Sequence, residues 1–498
     1  MSASLLLLLS VIIARGFWPN VRVDHQNLSD HMCYRCAMAI GPDAPSGPPI
    51  YVVFEDDSMV GPATVRADVV FQKSTDAGRT WQSTDLLIRR GAPRAEYPDI
   101  TTDSDGNVYI VYANVYHDTA GAYIRHILCT RSSDGGATWS APARIDDESV
   151  RLVGPARIAT DSAGNLFCAW NDWRTGYSHI WSSVSTDRGA TWSRNVQVDD
   201  DTTDYDCANA DVFVQPGTNL YLVTAQAPRW VGSHIMMCAF LYRSTDMGKT
   251  FQTGTQLDTF NGAGDPHVVA DREHVICDYF GSGNIRDTLI VEARVFYTQA
   301  DSWSSPSRIT NLDSLHELYL SGTLALSGDG RVHTALMVKD TVDSRENIYY
   351  TSSTDHGVSW GDIKLITDDT TVNSWYPDIG VDVTGHAYVV WEENDGDRQA
   401  IWFSTNNPAG IAEETSNAEL RAPNSSPTVV RGVLFLAERP SSSASTSSLL
   451  DISGREVMGL KPGANDVNRL SPGVYFVRSE PSAASRQQSA VTKVVVTR

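Results

Sequence analysis

The chain of 498 residues carries 39 Lys and Arg against 60 Asp and Glu, a formal net charge of −21. That balance disfavours nucleic acid and anionic membrane surfaces as partners, because both are held through clustered cations, and no basic patch with interleaved aromatics occurs. The length supplies a large core and suggests two or three domains.

From the N-terminus, Leu5 to Ile13 is an apolar run too short to span a bilayer as a helix. With Ala14-Arg15-Gly16 behind it, residues 1–16 are expected to be a secretory signal peptide, although Met1-Ser-Ala-Ser4 lacks a basic residue. The sequence offers no other transmembrane candidate.

Residues 17–411 are organised by one recurring phrase. It reads Ser-Thr-Asp-Ala-Gly-Arg-Thr-Trp at Ser74 to Trp81 and Ser-Ser-Asp-Gly-Gly-Ala-Thr-Trp at Ser132 to Trp139. Further copies run Ser185 to Trp192, Ser244 to Phe251 and Ser353 to Trp360. An Asp followed by Gly two residues later suits a tight turn, and the closing aromatic fills an apolar gap as the next strand begins. The aspartates fall at Asp76, Asp134, Asp187, Asp246 and Asp355, so the last interval is about twice the others. A shortened copy fills it at Thr298 to Pro306, and a decayed one follows at Phe403 to Gly410.

Each unit opens with a prelude such as Tyr97-Pro-Asp-Ile100 or Tyr376-Pro-Asp-Ile379, then a Gly turn and a β-branched, aromatic strand. A third strand enters the phrase and a fourth leaves it, often ending in Val-Asp or Ile-Asp. Four strands per roughly 50 residues mark a propeller blade. Asn20-Val-Arg-Val-Asp24 copies the fourth strand Asn195-Val-Gln-Val-Asp199, so the first strand is expected to complete the last blade. The expected fold is all-β: a seven-bladed β-propeller, with six or eight blades as alternatives, followed by a small C-terminal β-sandwich.

The seven cysteines cannot all pair within the chain. Cys33-Tyr-Arg-Cys36 reads as a local disulfide or half a metal site, whereas Cys129, Cys168, Cys238 and Cys277 sit in apolar strands as buried thiols. Asp103 to Asn107 and Asp199 to Asp206 carry oxygen ligands suited to calcium, but the first coincides with the repeat's turn. No metal and no cofactor are assigned.

After Ile411 the composition shifts to Glu, Ser, Asn and Pro, marking a linker over 412–422. Residues 423–498 then alternate short strands with Gly turns, as in Leu450 to Val457 and Gly463 to Arg478.

Two resemblances rest on these residues. The repeated phrase resembles the Asp-box of bacterial neuraminidase repeats, in which the box is a folding device on a hairpin. The tail resembles the C-terminal sorting domain of type IX secretion cargo. That likeness implies recognition by the secretion machinery and a place outside, or on the outer-membrane surface of, a Gram-negative cell.

Asp-box propellers include sialidases. In that family three arginines clamp the substrate carboxylate, a Tyr assisted by a Glu is the nucleophile, and an Asp is the acid/base. Tyr34-Arg35-Cys36-Ala37 resembles the family's opening phrase and makes Arg35 the first clamp arginine. Ser344-Arg345 matches the arginine before the last box, and Tyr376-Pro-Asp-Ile379 makes Tyr376 the nucleophile, with Glu392 at most accessory. The acid would be Asp57 or Asp68. The middle arginine has no match in the expected phrase, and Arg286 and Arg294 are the available residues.

The Ile-Pro of the opening phrase is absent here, and Tyr97-Pro-Asp-Ile100 repeats the Tyr376 phrase in another blade. The leading expectation is therefore a secreted or cell-surface propeller that binds a glycan or an extracellular protein on its axial face. Trp173, Trp230 and Trp375 are candidate stacking surfaces. The alternatives are a sialidase-like exo-glycosidase using Arg35, Arg345 and Tyr376, and a structural or adhesive surface protein.

Overall fold

The computed structural model describes residues 17, 19–24, 31–59, 65–89, 94–117, 121, 123–147, 153–200, 206–215, 221–231, 234–258, 263–282, 289–309, 316–320, 323–340, 344–394 and 399–407, and in the tail 428–430, 433–436, 447–450, 455–461, 463–466, 473–479 and 490–496. The expected signal peptide (1–16), the linker (412–422) and the end of the decayed seventh copy lie outside them. No helix occurs among the described residues, and none is long and apolar enough to cross a membrane.

The chain divides into two compact units, Val11–Glu414 and one containing Thr415–Arg498. The larger is a β-propeller. It holds five antiparallel sheets of four or five strands and one sheet of eight. The eight-stranded sheet consists of two antiparallel runs, 31–89 and 94–144, joined by the single parallel pairing Ala67↔Arg94. In each run an inner strand is followed by a second and a third strand of similar length and a short outer one. Second strands such as Val108–His117, Leu166–Asp172 and Ala387–Asn394 are nearly all buried, because neighbouring sheets cover both of their faces.

The recurring phrase sits between third and outer strands and carries the same bonds each time. In the second copy Ser132 Oγ donates to Asp134 Oδ1 (2.7 Å) and accepts the N–H of Gly136 (2.8 Å). Asp134 in turn accepts the Thr138 N–H (2.8 Å) and hydroxyl (2.6 Å). Identical sets hold the copies at Asp76, Asp187, Asp246 and Asp355. Each residue type is thus dictated by a bond it makes within the turn.

The phrase also locks neighbouring sheets together. A Cβ on Gly136 would lie 2.5 Å from the Phe71 ring, and Trp139 meets that ring edge-on at 5.1 Å. In the first copy Gly78 and Trp81 make the same two contacts with Phe403, from the far end of the propeller.

The first strand, Val21–Arg22, pairs antiparallel with Gln399–Thr405, so the sheet that begins at Asn373 is completed from the N-terminus. Asp24 accepts the Ile401 N–H (2.8 Å), as Asp199 does for Ile180 and Asp146 for Ile127. The Val-Asp and Ile-Asp endings of the outer strands have this bond as their reason.

The tail unit contains a five-stranded sheet ordered Thr428–Val430, Ala490–Val496, Gly473–Ser479, Ser447–Leu450 and Glu456–Leu460. Val433–Leu436 and Gly463–Asp466 form a separate two-stranded sheet. Leu449 and Leu460 are buried.

Cys33 and Cys36 are not joined in a disulfide, and no disulfide occurs among the described residues. Asp103 to Asn107 is a turn closed by the Asn107 side-chain amide and the Tyr109 hydroxyl on Asp103 Oδ2.

Candidate functional site

The inner strands share one irregularity. Their ladders to the second strands skip two residues at Tyr34/Ala37, Glu96/Asp99, Val153/Ala156, Ala208/Asp211, Gly264/His267 and Trp375/Asp378. At five of these bulges the first unpaired residue is a non-glycine held at positive φ: Arg35 (53°), Tyr97 (55°), Asn209 (51°), Asp265 (48°) and Tyr376 (48°). Such backbone costs about 1 to 3 kcal/mol each and gathers at sites that re-aim side chains. The following residue is Pro98, Pro155, Pro266 or Pro377 in four sheets, and a residue without an N–H has no ladder bond to lose there.

The five bulge residues line one cavity of about 630 Å³, together with Tyr34, Arg157, His267, Thr323, Asp378, Glu392 and Gln399. Since these come from the inner strands of successive sheets, the cavity is axial. Its wall is stitched by carboxylates that cross between sheets. Asp99 accepts the Ile158 N–H (2.8 Å), Asp211 that of Val268 (3.0 Å), and Asp378 that of Met38 (2.7 Å), from the last sheet to the first.

The cavity's cations are all matched. Arg35 Nη1 lies 3.0 Å from both oxygens of buried Glu55, and its guanidinium stacks over Tyr97 at 4.1 Å. Arg157 lies 3.6 Å from Asp99, and His267 Nδ1 3.1 Å from Asp278. Burial opposes the charge of His267, but Asp278 outweighs it and raises the imidazole to about 9.

The carboxyls of the cavity and of the layer behind it are raised as well, which favours their neutral form. Burial pushes Glu392 up to about 8, although it accepts the Arg35 N–H. Burial likewise lifts Glu55 to about 7 despite Arg35, and Asp99 to about 6 despite Arg157. Asp378 is raised by burial as well. Burial therefore favours the protonated form of Glu392 at neutral pH. Tyr376 is the exposed ring of the site, at 57% accessible.

Of the residues singled out in the sequence, Arg35 and Tyr376 meet in this cavity, and Glu392 lines it with them. Arg345 is not among its lining residues; it precedes strand Glu346–Ser353, its carbonyl accepting the Asp340 N–H (2.8 Å). Asp57 bonds the Tyr34 hydroxyl and lies 3.6 Å from Arg94, while Asp68 is buried opposite Asp56. Arg294 is spent on the carbonyls of Leu257 and Ser304. Trp375 donates to Glu346 (3.2 Å), Trp173 packs beside Gly154, and Arg286 and the Trp230 side chain lie outside the described residues. Asn209, Arg157, Asp265 and His267 went unnoticed in the sequence. Asp265 and His267 flank Pro266 as Tyr376 precedes Pro377, which is their signal; Asn209, followed by Ala210, and Arg157, two residues after Pro155, have no proline neighbour.

No protein-family model matches the chain, and no curated protein matches its sequence. Among solved structures it is similar to an ulvan lyase of a new polysaccharide lyase family, over 77% of this chain and 95% of that one, with TM-score 0.52 and 10% identity. An α-L-arabinofuranosidase from Fusarium graminearum is similar over 78% of this chain and 98% of its own (TM-score 0.45, 12% identity). A sialidase from Trypanosoma rangeli is similar over 78% of this chain and 55% of its own (TM-score 0.44, 12% identity). The likeness to the lyase is one of fold: both chains are β-propellers.

Proposed function

We propose that this is a secreted or cell-surface Asp-box propeller that binds an uncharged glycan in its axial cavity. The observation that carries the reading is the pairing of Arg35, Arg157 and His267 with Glu55, Asp99 and Asp278. With each cation matched, a sugar carboxylate entering the site would meet protonated or anionic carboxyls rather than a guanidinium clamp. Hydroxyl-rich sugars suit the rest of the lining: the exposed Tyr376 ring as a stacking surface, and the polar side chains of Asn209, Asp265, Glu392 and Gln399. The cavity volume lies in the range of small-ligand sites.

The eight-stranded sheet counts as two blades in this reading, which makes seven with the five separate sheets. The tail is read as a β-sandwich that addresses the chain to a type IX secretion machinery and thence to the exterior or outer surface of a Gram-negative cell.

One observation favours a second reading, a sialidase-like or related exo-glycosidase. Glu392, raised to about 8, lines the same cavity as Arg35 and Tyr376, and Glu55, buried against Arg35, is raised to about 7. A proton donor beside a tyrosine is the equipment of glycoside cleavage. A glycan array holding neutral and sialylated members, run beside aryl glycoside and aryl sialoside assays, separates the readings. Saturable binding of neutral glycans without turnover supports the binder. Turnover lost in both Glu392→Gln and Tyr376→Phe supports the enzyme, and binding confined to sialylated members overturns the uncharged-glycan reading.

A further inference from the structure

The inner strand Ala263–Ala270 carries Asp265 into the axial cavity near its start, and Asp271 follows its far end. There Asp271 and His356 line a second cavity of about 390 Å³, and His274 brings a second imidazole to the same carboxylate. His274 Nδ1 lies 3.1 Å from Asp271 Oδ1 and 3.2 Å from Oδ2; His356 Nδ1, from the next sheet, lies 3.1 Å from Oδ2. The two rings stack at 4.0 Å, and His356 Nδ1 is buried without an aligned hydrogen bond.

The neighbouring junctions show what is particular here. After other inner strands Asp103, Asp161 and Asp382 hold a corresponding turn one residue longer, and Asp382 has a single imidazole, His386, at 3.0 Å. The residue after the box aspartate, at positive φ, reaches back to the preceding sheet's turn: Arg188 does so to Asp105 at 2.5 Å. His356, at φ 58°, occupies that position and turns an ordinary junction into a His-Asp-His set. A rival set, His179-Asp199-Cys207, has a plain structural counterpart in His126–Asp146, which makes the same 2.8 Å pair without a thiol.

We propose that Asp271, His274 and His356 bind one divalent transition cation of the zinc class, with water completing the shell. Two imidazoles and a carboxylate are the borderline donors such ions prefer. Ligand atoms at zinc distances on a tetrahedron stand about 3.3 Å apart, close to the separations seen. The Glu273 and His274 N–H groups both donate to the Asp271 carboxylate. Oδ1 takes those N–H bonds, leaving Oδ2 between the two rings. Arg272 and Asp329 line the same cavity. A cation here would clamp adjacent sheets of the propeller, and it is independent of what the axial cavity binds.

The test is calorimetric titration of Zn²⁺ into chelator-treated full chain lacking any polyhistidine tag, with Co²⁺ visible absorption as a second readout. The expected result is one saturable site, weakened more than about tenfold in His356→Asn, a substitution suited to positive φ, and in His274→Gln. His386→Gln and His179→Gln should bind as the parent does. Absence of saturable binding, or binding lost in His179→Gln and kept in His356→Asn, overturns the assignment.

Discussion

Asn20 and Asp368, 348 positions apart, exchange backbone-to-side-chain bonds in both directions: the Asn20 N–H donates to Asp368 Oδ2 (2.7 Å) and the Asp368 N–H to Asn20 Oδ1 (2.6 Å). Asn195 and Asp147 make the same exchange at 2.9 and 2.8 Å. Each asparagine also donates to an isoleucine carbonyl, Ile366 in one case and Ile145 in the other. The closure of the propeller therefore reuses, across the whole chain, a junction that elsewhere joins consecutive sheets.

Asn20→Ala keeps the backbone N–H bond to Asp368 but removes the two side-chain bonds, and should lower stability by about 1 to 3 kcal/mol. Asn195→Ala should fall in the same range. Urea unfolding of the two variants checks the equivalence. A neutral Asn20→Ala beside a damaging Asn195→Ala would mean that the closing strand contributes little.

Gly136→Ala should destabilise the protein more than Gly121→Ala does. Both glycines have positive φ, at 84° and 82°, but a Cβ meets the Phe71 ring at 2.5 Å in the first case and nothing within 4 Å in the second. The φ penalty alone is roughly 1 to 2 kcal/mol, so the excess measured for Gly136 reports the inter-sheet contact.

Stability should fall as pH rises from about 5 to about 8. Glu392 stays protonated in the folded chain up to about 8, whereas its ordinary value is 4.5, so the folded state holds the extra proton through that interval. Glu55 adds to the same slope up to about 7. Glu392→Gln, which keeps an acceptor for the Arg35 N–H, should flatten the decline in thermal-melt series across pH. A slope unchanged by the substitution would place its origin elsewhere.

The repeated phrase announced the fold because every residue in it serves its own turn: Ser132, Asp134, Gly136 and Thr138 are tied to one another within seven positions. The axial site announced itself less. Arg35, Tyr97, Asn209, Asp265 and Tyr376 share a bulge but no chemistry, since what they face is the cavity and not their own hairpin. Arg157 and His267 take their carboxylate partners from other strands, and only the folded ladder brings these together. Arg345 shows the opposite hazard, for it fitted a family phrase but stands outside the lining of the axial cavity.

The most direct test of the axial site is a calorimetric titration of the full chain with the strongest neutral oligosaccharide found on the array. The account predicts one site whose affinity drops more than about tenfold in Tyr376→Ala, where the open stacking ring is lost, and is unchanged in Arg345→Ala. Full affinity retained in Tyr376→Ala, or binding abolished by Arg345→Ala alone, would contradict it.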